Sequence, residues 1–311
     1  MLRNLLFIMM VLPYISHMAT SQEYIHTSYM NFFPASNPAV PGIGEDSRLS
    51  MHYHSSLFSG QSIYSNFNVS YTSFLERYQS GLGIHIMNDR QGGGKINHLS
   101  LNLQYAYRIV LRPQYYLIGG IQASLIQRSL NTEDLILPSM INPNTGELQE
   151  NNALASYDKY IPDFSVGFAA VLLNQQIGFT INHLTEPYLS DQKENRLSRK
   201  YAISWFKNFK IEKRGLLDEL IILTPSIRYE YFNQHFIIPG MNLRIQDLMI
   251  GVKLNQPLQM HLHSADFLLG YFLESYGFFY GYEFFFPRNN YGFVNSGSHK
   301  VTFFYNFRYN E

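Results

Sequence analysis

Side chains able to do chemistry are plentiful in this chain, but few stand at the spacing a reaction needs. Gln91-Gly92-Gly93-Gly94-Lys95 has the glycines and the lysine of a phosphate-binding loop. It lacks the first glycine at the required spacing and the Ser or Thr after the lysine, and no helix follows to bring a positive end to the phosphate. It reads as a hairpin turn. His52-x-His54 and His261-x-His263 each put two imidazoles on one strand face, a spacing that can ligate a metal. Neither pair has an Asp, Glu or Cys nearby to complete a ligand set, and the second falls in a loop, so no metal or cofactor is expected. Ser, His and Asp are common, yet no G-x-S-x-G elbow is present, and no catalytic residue is assigned. Arg108, Arg228 and Glu230 lie on alternating strand-like runs, at positions directed to an enclosed side, with His183 near one rim. Charges buried there need partners, which favours a structural ion-pair network over a ring that selects ions.

The elements that must carry these residues are strands. In His98–Val110, Leu99, Leu101, Leu103, Tyr105, Tyr107 and Ile109 oppose Ser100, Asn102, Gln104, Ala106 and Arg108. A helix would smear both classes around its circumference, whereas a strand separates them with period two. The same alternation runs through 48–58, 62–75, 81–89, 115–127, 164–172, 177–184, 200–208, 219–232, 236–246, 247–255, 265–273, 277–286 and 298–309. That makes about fourteen strands, an even number, as outer-membrane barrels have. In the last, Val301, Phe303, Tyr305, Phe307 and Tyr309 share one face, and Lys300, Thr302, Asn306 and Arg308 the other, with Phe304 as the exception. A soluble sandwich would bury such an aromatic face, and a membrane barrel shows it to lipid.

Composition favours the barrel. The 311 residues include 24 Tyr, 24 Phe, a single Trp and no Cys. Residues 1–21 have the form of a removed signal peptide: Arg3, a short apolar run from Leu5 to Ile15, and Ala19-Thr20-Ser21 before Gln22. After it, no apolar run approaches the roughly 20 residues of a membrane helix. Setting Arg3 aside, acidic residues outnumber basic ones by one, which leaves no basic patch for nucleic acid. Residues 22–47, punctuated by Pro34, Pro38, Pro41, Gly42 and Gly44, form an irregular lead-in, and 48–311 the barrel. Long loops (128–161, 185–198, 256–264, 287–297) follow odd-numbered strands, and most connections after even ones are short, with the charged segment 209–218 as the exception. An exported chain that starts in the periplasm puts the long loops outside. The insert 128–161 has room for a plug or a lid.

Several fragments resemble one family, in its order. They are Tyr29-Met30 with Asn37-Pro38-Ala39 and Gly42, then Gly81-Leu82-Gly83, Asp89 and Gly93, then Tyr105-Ala106-Tyr107-Arg108-Ile109. Pro162-Asp163-Phe164 with Gly167, Gly178, His183-Leu184 and Pro187 follow, and then Leu223, Pro225-Ser226 and Gly297-Ser298-His299. With these the chain resembles the PorP/SprF membrane proteins of the Bacteroidetes type IX secretion and gliding machinery. It departs from them at Val40 and Pro41, at Lys300, where the family usually has Glu, and in the tail Asn310-Glu311. The resemblance implies a non-enzymatic outer-membrane barrel embedded in lipid. Its partners would be periplasmic ring components of the machinery and secreted cargo, adhesins included, with C-terminal sorting domains. For Tyr29, Met30, Asn37, Pro38, Ala39 and Gly42 two readings stand side by side: a contact for a periplasmic partner, or a closure of the barrel's periplasmic mouth. A passive porin or small-solute channel is the alternative function, and an enzyme acting on lipid a distant third.

Overall fold

The computed structural model describes residues 34–58, 61–131, 157–189, 196–213, 219–258, 262–273, 275–286 and 296–307. The signal peptide, Tyr29, Met30, His261, residues 132–156 of the insert, Arg308, Tyr309 and the terminal Asn310-Glu311 lie outside the described residues.

Period-two patterning becomes strands throughout: β1 (Ser47–Phe58), β2 (Gln61–Leu75), β3 (Ser80–Gln91), β4 (Ile96–Arg112), β5 (Tyr115–Leu130), β6 (Tyr157–Leu172), β7 (Gln175–Asn182), β8 (Lys200–Lys207), β9 (Phe209–Lys213), β10 (Glu219–Phe232), β11 (Gln234–Ile245), β12 (Leu248–Pro257), β13 (Ser264–Phe272), β14 (Tyr276–Phe285) and β15 (Ser296–Phe307). Each pairs antiparallel with its neighbours, and β15 returns to β1 from Ser47↔Phe307 to Phe58↔Ser296. β9 continues β8 beyond Asn208 and both pair with β10, so the fifteen segments make fourteen staves of a closed barrel. Closure leaves no sheet edge to be satisfied by lipid, which offers no hydrogen bonds.

Two sequence boundaries need correction. The segment 209–218 contains strand β9, with Phe209 and Ile211 exposed on the outer face, so the connection shrinks to 214–218. Lys210 and Glu212, which made it look like a loop, alternate with those apolar residues, and a pattern read by charge density hides a strand end. The insert 128–161 shortens to 131–156, because β5 runs to Leu130 and β6 starts at Tyr157. Gly92, Gly93 and Gly94, all at positive φ, turn the chain from β3 to β4.

The outward face carries the large apolar side chains. Leu99, Leu101, Leu103, Tyr105 and Tyr107 are exposed, while Ser100, Asn102, Gln104 and Arg108 on the same strand are buried. Inside, Phe304, the misfit of the last strand, is fully buried and stacks on Phe279 (5.9 Å between ring centroids). Leu268, Phe272 and Met249 complete that cluster. It fills one side of the lumen at the end where β2–β3, β4–β5, β6–β7, β11–β12 and β13–β14 make their short turns.

A lumen seat for the N-terminal segment

Reading the ladders across the wall gives a row of lumen-facing residues: Phe74, Gly81, Ala106, Gly120, Gly167, Thr180, Ala202, Glu230. Four consecutive staves, β3 to β6, thus place a glycine or alanine side by side and thin the wall from within. The segment 34–44 lies in the recess as two 3-10 turns, Pro34–Ser36 and Val40–Gly42. A methyl group on Gly81 would overlap the carbonyl of Pro41, and one on Gly120 that of Pro38. Gly167 similarly clears the Asn37 side chain.

The Asn-Pro-Ala motif holds the seat. Asn37 Oδ1 accepts from the Ala39 N–H (2.8 Å), and Asn37 Nδ2 donates to the carbonyls of Phe168 (3.1 Å) and Phe179 (3.4 Å). Pro38 has no N–H to satisfy in this buried place. Ala39 is fully buried in a cluster with Ala106, Ile118 and Ala169. Downstream, Arg108 donates to three successive carbonyls: Nε to Gly42 O (2.7 Å), and Nη2 to Ile43 O (2.9 Å) and Gly44 O (2.7 Å). Its guanidinium lies over the Phe74 ring (3.8 Å to the centroid) and near that of Tyr116 (4.8 Å), with Glu45 at 3.9 Å. A planar five-donor group between rings suits this clamp in a way that lysine would not.

The four residues singled out in sequence fall in three places, with Arg228 and Glu230 together. Arg108 clamps the seat. Arg228 Nε donates to Glu230 Oε1 (2.5 Å), whose other oxygen lies 3.8 Å from Lys200 Nζ. His183 Nδ1 pairs with Asp163 Oδ2 (2.7 Å), and Asp163 Oδ1 accepts from Thr185 (3.0 Å). Of the His52-x-His54 pair, His52 bonds Thr302 (2.7 Å), and no group of three metal-ligating residues occurs among the described residues.

Sequence reasoning missed the largest lumen cluster. Lys300 Nζ donates to Asp266 Oδ1 (2.6 Å) and lies 2.8 Å from Glu283 Oε2, while Asn255 bonds both acids (3.2 and 3.0 Å). All of these side chains are buried, where an ion pair persists only with its remaining bonds made. Lys253, directly across the ladder from Asp266, adds a further cation. Strand parity put Lys300 on the polar face of its strand; only register could show that it meets Asp266 and Glu283.

At the opposite end, the link between β7 and β8 folds inward. Leu189 and Leu197 pack on Ile161 and Phe232, with Ile126 beside them. Among the described residues the lumen is therefore occupied: by the N-terminal segment and an aromatic cluster at the short-turn end, by buried polar pairs in the middle, and by this apolar cluster at the far end.

An apolar exterior, a hydrogen-bonded polar interior and a closed antiparallel wall define an outer-membrane β-barrel. The chain is similar to the P. putida toluene transporter TodX, with TM-score 0.54 at 12% identity over 88% of this chain and 93% of that one. A TodX deltaS2S3 mutant monoaromatic hydrocarbon channel gives 0.53 at 10% identity with the same coverage. At such identities the likeness is one of fold. No curated protein matches in sequence. The family model for the type IX secretion system membrane protein PorP/SprF matches residues 19–305, and the chain belongs to that family.

Proposed function

We propose that this barrel serves type IX secretion by binding, as an anchor or accessory subunit for cargo that carries C-terminal sorting domains. The observation that carries the reading is the occupied lumen: a barrel whose own N-terminal segment is clamped across its wall is built to present surfaces. In this reading the seat and the short turns face the periplasm, and the longer links, including 131–156, face outward. Asn37, Pro38, Ala39 and Gly42 are buried in the seat and close the mouth. Contact with ring components then falls to exposed Glu45 and Asp46, beside the mouth.

Deleting the gene and fractionating the cells tests the role. Loss of at least one sorting-domain protein from the surface or medium is expected, and unchanged display of all of them would overturn it. Conductance in a planar bilayer separates this reading from a passive channel: the intact barrel should be silent, and a steady open pore would favour transport.

A further inference from the structure

Between the seat and the apolar far-end cluster lies a lumen cavity of about 90 Å³. Its polar wall comes from consecutive staves: His85, Asn102, Gln122 and Ser124 on β3, β4 and β5, and Asp163 on β6, the ladder partner of Ser124. Its floor includes Ala35 of the seated segment, and its roof Leu189 and Leu197. The charged groups around it are already engaged. Asp163 is held by His183 and Thr185, Asp89 accepts from Gln91 (3.3 Å), and Lys200 lies against Glu230. What is left over is neutral. Asn68 Nδ2 donates to His85 Nε2 (2.9 Å), which leaves the ring proton on Nδ1, and that buried N–H has no hydrogen-bond partner among the described residues. A buried donor without an acceptor is destabilising, so its position calls for an oxygen from outside the chain.

We propose that this cavity is a binding site for a small neutral polyol. The match is chemical. Hydroxyl groups both donate and accept, which suits a wall of amides, hydroxyls and one orphan N–H. The C–H faces of a polyol suit the apolar floor and roof. A carboxylate or ammonium ligand would meet acids and bases that already satisfy one another. The site stands independently of the chain's part in secretion.

Glycerol and erythritol are the probes, with the purified barrel in detergent and saturation-transfer NMR as the readout. Saturable transfer to the polyol in the wild type, reduced at least tenfold in affinity by His85→Phe, is the expected result. Ser124→Val, which narrows the wall beside Asp163 without touching the His85–Asn68 bond, guards against a misfolded His85 variant; heat-modifiable gel mobility reports whether each barrel is closed. No transfer in the wild type, or equal transfer in closed variants of both kinds, would overturn the proposal and leave the cavity to ordered water.

Discussion

At the scale of single residues, Arg108 decides whether the N-terminal segment stays seated. Truncating it strips the donor from the buried Gly42 carbonyl beside the Phe74 ring and from the more open carbonyls of Ile43 and Gly44, and the buried loss alone costs roughly 1–3 kcal/mol. In Arg108→Ala, a reporter thiol placed at Ala39 should react with maleimide at least tenfold faster than in the parent. The chain has no cysteine of its own, so the signal is unambiguous. Gly120→Val should act in the same direction from the wall side, since its side chain would claim the space of the Pro38 carbonyl. Labelling rates equal to the parent in both variants would mean the seat is not what holds the segment. Lys300 shows what one residue's parity tells and what it leaves hidden. Alternation placed it inside, where an isolated cation is costly. Its partners Asp266 and Glu283 sit on β13 and β14, 34 and 17 positions away, and no local pattern ties the three together.

Strands were the most legible level, because each carries its own evidence: two faces, two chemistries, one period. The misses came at their ends. β9 hid because charged residues alternate with its outward Phe209 and Ile211, and the start of β6 because Asp158 on its outer face continues the polar insert. Phe304 illustrates a second limit. Its type argued for lipid and its parity for the lumen, and packing on Phe279 decided for parity. The two faces make opposite predictions for substitution. Phe303 points outward on the row Phe278, Phe303, Met51, and an arginine there should destabilise the barrel by about 2–4 kcal/mol if it lies near the bilayer midplane. At its neighbour Thr302, which faces His52, Thr302→Ser should change stability by under about 0.5 kcal/mol, because the hydroxyl is kept. Urea unfolding in detergent, followed by gel mobility, measures both. Similar midpoints for Phe303→Arg and Thr302→Ser would reverse the faces.

For the whole molecule, closure is the property to test. The register of β1 against β15 and of β10 against β11 removes every free edge of the wall, and the lumen is filled from both ends. Removing residues 34–46 should leave a closed wall with the same heat-modifiable mobility, but one that now conducts in a planar bilayer. A thiol crosslinker bridging Ala39→Cys and Ala169→Cys, which share one apolar cluster, should keep the full-length barrel silent even with Arg108→Ala. Equal silence with and without residues 34–46 would assign closure to the lumen clusters alone. In sequence, closure of the mouth stood as one of two readings of Asn37-Pro38-Ala39; its receptor was not legible, because it is a row of small residues contributed by separate staves.

That receptor also sets an order of events. Asn37 bonds carbonyls 131 and 142 positions further along the chain, so the first described piece to be synthesised is among the last to find its place. The recess exists only when β3 through β7 stand in one register; a slip of a single residue in β6 would turn Gly167 outward and set Val166 or Phe168 in its row. The docked segment thus works as an inspection mark on assembly. A correctly closed barrel hides its own N-terminal segment, and a misregistered one leaves it hanging free, where quality-control proteolysis can find it.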